Sequence, residues 1–337
     1  MVGVISGPLF DAGYFHVLLP AGAFLMAFGL MMTSLATQYW QFILAQGLCV
    51  GLGAGCLFVP SVAILPQYFE KRRALANGIA ASGSSIGGVL YPIIFRRLQQ
   101  EIGFPWATRV LGFVCLATNL FSVLTMTLRF QPTEKRSLLH LSAFKEVQYD
   151  LLVGAVFLGF LGFYLFPVFV EPYSLDEGFI DKDLAFYLLP ILNAASTFGR
   201  VVPNYFADLI GPLNVIIPEV GITALLAYCW IAVHNTKGII ALSALYGFFS
   251  GVLVSISPVA MMTITKDLRL FGTRLGMCLT IVSVGMLVGT PIGGAIVDGT
   301  NSYLGLQLFC ACSFAGSATL SLSLRLIRSG PKLYFKT

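Results

Sequence analysis

Charged side chains are scarce in this sequence, and two of them stand where an apolar run should exclude them. Arg200 lies inside the run at about 184–206, eight residues before Asp208. Along a helix that is about 12 Å, at ~1.5 Å per residue. A guanidinium there can grip an oxyanion through two parallel hydrogen bonds. Its presence in a bilayer costs at least ~2.5 kcal/mol, which usually marks function. The other readings are an arginine that extends to the lipid headgroups or one paired with Glu219. Glu219 sits in Ile216-Ile217-Pro218-Glu219, a turn or two into the next apolar run. It reads either as a carboxyl that carries a proton for ion coupling, because desolvation favours its neutral form, or as a charge at the edge of a loop. Arg109, in Trp106-Ala107-Thr108-Arg109, reads as an interfacial anchor.

Other chemistries lack their residues. The dipeptide Gly-Lys never occurs, so no phosphate-binding GxxxxGK[ST] loop exists. The stripe Gly51-Leu52-Gly53-Ala54-Gly55 has neither a preceding strand nor a following acidic residue for dinucleotide binding. His16, His140 and His234 are far apart, which argues against a metal site. The seven cysteines all lie in apolar runs without a CxxC pair, as small buried hydrophobes do. No nucleophile–base–acid constellation is present, so neither an enzyme nor a cofactor is expected.

The elements that must position these charges are membrane helices. Apolar residues make up 57% of the 337 residues and charged ones 10%, where about a quarter is usual in soluble domains. The mean hydropathy is +0.86. A net charge of +5 over this length is too small for a nucleic-acid surface. The partner implied is the lipid bilayer. About 20 apolar residues cross a bilayer core, and ten such runs occur: about 15–37, 40–66, 74–96, 106–128, 151–173, 184–206, 213–234, 239–263, 273–297 and 304–327. One face of the connecting loops holds 15 Lys and Arg and the other holds 5. The richer face is therefore cytoplasmic, and both termini face the cytosol. Glu171, Asp176, Glu177, Asp181 and Asp183 then form an acidic outer loop. Glycines spaced by four (Gly47, Gly51, Gly55; Gly83, Gly87; Gly247, Gly251; Gly285, Gly289, Gly293) predict close helix packing. Pro20, Pro60, Pro92, Pro190 and Pro258 lie in or near the spans and can kink them.

The sequence also repeats itself. Asp11 and Asp208 stand 197 residues apart, each at an apolar run's edge. Arg73 and Arg274 are 201 apart, and Gly88 and Gly294 are 206 apart. An offset near 200 implies two related halves. The polar stretch 130–150 is their seam, between a bundle at 1–129 and one at 151–328, with a cytoplasmic tail at 329–337. The offset would start the first half about 50 residues before Met1, so about two helices are expected to be missing from an incomplete first bundle.

The basic turn Tyr68-Phe69-Glu70-Lys71-Arg72-Arg73 leads into Ala74-Leu75-Ala76-Asn77-Gly78-Ile79-Ala80-Ala81-Ser82-Gly83. This segment resembles the YFxK-R/Q-R/L-xLAxGxAxAG pattern of the monocarboxylate transporter family in the major facilitator superfamily, with Ser82 where alanine is usual. Gly7 and Asp11 resemble the superfamily's GxxxD gating loop, although Ala12, Phe15 and His16 replace its basic residues. The segment from Gly7 to Arg109, including Gly103-Phe104-Pro105-Trp106, looks like the fungal branch. Arg200 matches the arginine of the family's helix-eight Asp–Arg pair, but Ser196 stands where the aspartate should be. The resemblance implies an all-α, multi-pass major facilitator fold, here with about ten spans in place of twelve.

The function implied is secondary active transport of a small organic anion, such as a monocarboxylate or related metabolite, by alternating access. Arg200 would attract the anion, and a proton or ion gradient would supply the energy. Asp208, Lys71, Arg72 and Arg73 would join Gly7 and Asp11 in gating. Phe163, Tyr164, Phe166 and Tyr187 are candidates to line the path. The plasma membrane is the expected location. Export of a secondary metabolite is the alternative function, and a non-transporting remnant is a second one.

Overall fold

The computed structural model describes residues 2–129, 140–265, 267 and 270–330. Among them a short first helix, α1 (Gly3–Asp11), precedes nine long apolar helices. These are α2 (Phe15–Thr33), α3 (Tyr39–Tyr68), α4 (Arg73–Thr125), α5 (Val147–Asp176), α6 (Lys182–Ile210), α7 (Pro212–Ala232), α8 (Thr236–Ile264), α9 (Phe271–Thr300) and α10 (Leu304–Ser329).

At 53 residues, α4 would run about 80 Å, far beyond a hydrocarbon core of about 30 Å. It is two spans joined at Gly103, whose φ of 75° and ψ of 168° are not helical. A side chain rarely adopts that φ, so glycine is required there. Pro105 follows, and proline is well tolerated at a helix start. Counting α4 twice gives ten spans, as the apolar runs predict. α5 is interrupted once, at Tyr164, between Val147–Phe163 and Leu165–Asp176. α3 carries a π-helical stretch at Ile43–Val50.

The chain divides into two compact units. One comprises residues 1–70, 90–140 and 267–280, the other 71–89, 141–266 and 281–337. In the first, α2 and α3 pack through glycine. A Cβ on Gly22 would press on the Gly53 carbonyl oxygen at 2.9 Å, and one on Gly53 would meet that of Gly22 at 2.8 Å. Arg109 donates to Ser34 at 3.1 Å and lies 4.8 Å over the Trp106 ring, a form suited to an anchor. In the second unit, α6 and α8 approach until a Cβ on Gly199 would strike the Phe248 carbonyl, and one on Gly247 the Leu192 carbonyl. Gly285, Gly289 and Gly293 of α9 seat against Phe157, Leu161 and Leu165 of α5.

The fourfold glycine pattern is only partly realised. Nothing lies within 4 Å of a Cβ on Gly51 or Gly83. Two of the tightest glycines, Gly78 and Gly199, belong to no such stripe.

The acidic outer loop is shorter than expected. Glu171 and Asp176 end α5 and Asp183 begins α6, because the apolar helices carry their polar ends out of the bilayer. There Tyr303 donates to Asp176 at 2.5 Å, and His234 approaches Glu177 at 3.9 Å. The stretch 130–150 is described only from His140. It forms a 3-10 turn at Leu141–Lys145 and already enters α5 at Val147. Lys135, Arg136, Lys266, Arg269, Lys332 and Lys336, with the tail beyond Gly330, lie outside the described residues.

Candidate functional site

The site is built where the first turns of α4 lie along α6, in the second compact unit. Small residues make this approach possible. A Cβ on Gly78 would collide with the Arg200 carbonyl, and one on Gly88 would meet the Asn193 amide at 2.7 Å. Asn204 donates to the Arg200 carbonyl at 2.7 Å and to the Ser255 hydroxyl at 2.7 Å. Asn77 donates to the Ser255 carbonyl. These amides tie α4, α6 and α8 together around Arg200.

Arg200 is 6% exposed. Its Nε donates to Ser196 Oγ at 3.3 Å, and its Nη1 to the Ala81 carbonyl oxygen at 2.8 Å and to Ser84 Oγ. Ser85 donates to Ser196 at 3.3 Å. Every acceptor is neutral, and Nη2 has no hydrogen bond among the described residues.

Glu219 is not Arg200's partner. No ion pair joins them among the described residues, and the buried Oε2 of Glu219 makes no hydrogen bond. Its residue position near the start of α7 leaves it half-buried.

Gly7 and Asp11, expected in a gating loop, lie on a helix instead, α1, because Phe10 and its apolar neighbours continue the helix to Asp11. Asp11 Oδ2 accepts from the Thr273 N–H at 2.6 Å and from the Thr273 hydroxyl at 2.7 Å. Asp208 closes α6 and accepts from the Ala74 N–H through Oδ1 and the Leu75 N–H through Oδ2, both at 2.9 Å. Each aspartate thus satisfies donors that a helix start leaves open and adds negative charge at the positive end of that helix. The two caps are of one kind, and each lies within a single compact unit. Gly7 and Gly3 allow the approach of α1 to α9 at the Asp11 cap, because Cβ atoms there would meet Gly272 and Gly276. Lys71 and Arg72 are exposed in the turn before α4, and Arg73 begins that helix.

Of the four aromatics expected along a path, Phe163 and Phe166 are buried. Phe166 stacks on Tyr246 at 4.4 Å and meets Trp230 edge-on at 4.8 Å. Tyr164 and Tyr187 are exposed. Ser84, Ser85 and the Ala81 carbonyl escaped the sequence reading, which noted Ser196 only as the residue in place of an aspartate. The one signal for them was the small-residue face Ala81-Ser82-Gly83-Ser84-Ser85.

Residues 1–238 match the family model described as Major Facilitator Superfamily. The chain belongs to the Major Facilitator Superfamily. Members of this superfamily are transporters, so the chain is an integral multi-pass membrane protein and not an enzyme. The MFS-type transporter dbaD of Emericella nidulans is 44% identical over 298 residues, which cover 88% of this chain and 67% of that protein. The aspyridones efflux protein apdF of the same organism is 39% identical over 330 residues, covering 96% of this chain and 66% of that one. The chain spans about two thirds of the length of these relatives. The crystal structure of the E. coli fucose:proton symporter superposes with a TM-score of 0.77 at 14% identity, covering 96% of this chain and 87% of that chain. At that identity the likeness establishes the major facilitator fold alone.

Proposed function

We propose that this major facilitator protein exports a small organic anion of secondary metabolism, and that Arg200 holds the anionic group. The observation that carries the reading is the uncompensated charge of Arg200. A buried cation whose hydrogen-bond acceptors are all neutral lacks a counter-ion, and a cation so placed is costly until one arrives. An anionic substrate supplies it. The outward direction follows the efflux protein among its relatives.

The basic turn and small-residue helix from Tyr68 to Gly83 favour a monocarboxylate-transporter-like branch, and hence a carboxylate or acidic enol as the anion. Glu219 is the candidate for proton coupling, as a carboxyl within a span whose buried Oε2 has no hydrogen-bond partner among the described residues. Asp11 and Asp208, with Gly7 and the turn Lys71–Arg73, are assigned to gating, since each cap can open only as its helix pair separates. The plasma membrane, with both termini in the cytosol, is the setting proposed.

Proteoliposomes carrying the chain test the reading. Saturable flux of labelled organic acids, collapsed by Arg200→Ala and reduced when the proton gradient is dissipated, is the expected result. Equal flux in wild type and Arg200→Ala would overturn the role of Arg200. Correctly inserted protein without flux of any acid in the panel would favour a non-transporting remnant.

A further inference from the structure

Ser84 carries a hydroxyl hydrogen that the fold can spare. The Ala81 carbonyl oxygen accepts twice, from Arg200 Nη1 at 2.8 Å and from Ser84 Oγ at 3.0 Å. If the Ser84 hydroxyl turned away, that carbonyl would keep the arginine's bond, so no acceptor would be left unmade at a cost. The hydroxyls beside it are fixed inside the bundle. Ser82 and Ser85 are buried, and they donate to the Ile79 carbonyl at 2.7 Å and to Ser196 Oγ at 3.3 Å.

The guanidinium of Arg200 runs from this interior out to a rim. Its Nε bonds to Ser196, which is 3% exposed, whereas its Nη1 reaches Ser84, which is exposed on α4. Ala80, four residues before Ser84 and on the same side of the helix, is exposed as well. Nη2 makes no hydrogen bond among the described residues, yet it is not sealed in as Glu219 Oε2 and Asn204 Oδ1 are. An open N–H of a cation is costly against hydrocarbon. The rim at Ala80 and Ser84 therefore suits a water-filled path better than a lipid-facing surface.

We propose that Ser84 is a second ligand of the transported anion. Its hydroxyl turns from the Ala81 carbonyl to one oxygen of the anion, while Arg200 gives Nη2–H to the same group. The proposal rests on Arg200 being the anion site. The chemical class follows from the two donors. They belong to side chains already in hydrogen-bond contact, so they match a charge shared over two neighbouring oxygens, as in a carboxylate or an enolised dicarbonyl. Bonds from both donors to such a group are charge-assisted, hence short and strong. A neutral amide of the same shape offers one oxygen and turns N–H groups toward the guanidinium.

Binding of radiolabelled benzoate to the full chain in lipid nanodiscs, with benzamide as competitor, tests this. Ser84→Ala removes the donor and is expected to weaken benzoate about tenfold, as loss of one hydrogen bond to a charged group does. Ser84→Thr keeps the hydroxyl and is expected to bind within about threefold of wild type. Benzamide should fail to compete in any of the three. Infrared difference spectra of saturating carboxyl-labelled benzoate read the contact itself. The carboxylate stretch should shift in Ser84→Ala and stay in Ser84→Thr, whereas a serine that only seats Arg200 would leave it unmoved in both. Unchanged affinity or an unmoved stretch in Ser84→Ala, with binding lost in Arg200→Ala, would overturn the proposal while leaving the Arg200 site intact. Binding that is absent in the wild type or unchanged in Arg200→Ala would overturn the Arg200 reading and this proposal with it. Thermal melts within a few degrees of wild type confirm that each variant is folded.

Discussion

Arg200 donates from Nη1 to the backbone carbonyl of Ala81 at 2.8 Å, a bond between side chain and main chain across 119 residues of sequence. Such a bond could hold α4 to α6, or it could only rest the guanidinium between substrates. Replacing the charge separates these. Arg200→Met keeps length and apolar packing but removes a buried cation without an ionic partner. Because buried charges replaced by apolar groups are often neutral or stabilising, the melting temperature in detergent should hold or rise while flux disappears. A large drop in melting temperature would make Arg200 a structural clamp.

The cap at Asp208 is of a different kind, since it touches only backbone N–H groups. Asp208→Ala leaves the Ala74 and Leu75 donors open and should cost about 1–2 kcal/mol, the range for lost helix caps. Asp208→Asn keeps one acceptor oxygen and should lose about half of that. Chemical denaturation in mixed micelles would read both. Equal stability in all three proteins would refute the cap as a stabilising contact.

Glycine substitutions should divide by neighbour rather than by spacing. Gly199→Ala drives a methyl into the Phe248 carbonyl, and overpacking of this kind costs about 1–3 kcal/mol. Gly83→Ala meets nothing within 4 Å and should gain about 0.5–1 kcal/mol of helix stability. Thermal unfolding of the pair would show opposite signs. Shifts of one sign would mean that the close approach of α6 to α8 is not rigid.

Gly103→Ala addresses the corner in α4. Its φ of 75° with ψ of 168° belongs to a region used almost solely by glycine, and strain there costs about 1–3 kcal/mol. Space is not the obstacle, since the nearest atom to a Cβ is Pro105 Cδ at 3.9 Å. The variant should insert less efficiently, and glycosylation mapping of the adjoining turn would detect it. Wild-type insertion would show that the corner tolerates another backbone conformation.

The fold was open to reading because a bilayer imposes one length on every span. Apolar runs of the right size identified the ten among the described residues, and the break at Gly103 falls between two of them. The sequence was less informative about helix ends. Asp11 and Glu171 look like loop residues by polarity, yet they lie on helices because the backbone must stay hydrogen-bonded until it reaches water. Arg200 stood out as a charge in an apolar run. Two of its neighbours did not, because Ala81 and Ser84 are small and neutral and come from a distant span. The interruption of α5 at Tyr164 had one trace, Pro167, which lies on the same helix as Pro172.

The two aspartate caps also set a schedule for synthesis. The start of α4 waits for Asp208, which lies 134 residues downstream of Ala74. Translation at ~5–20 residues per second makes that roughly 7–27 s. Asp11 waits longer still, for Thr273, 262 residues away. During that interval the newborn helices sit in the membrane with open ends, exposed to whatever quality-control factors survey unfinished chains. Ribosome-bound chains halted before Asp208 emerges should be cut by protease in the turn at Lys71–Arg73, and chains halted well after it should resist.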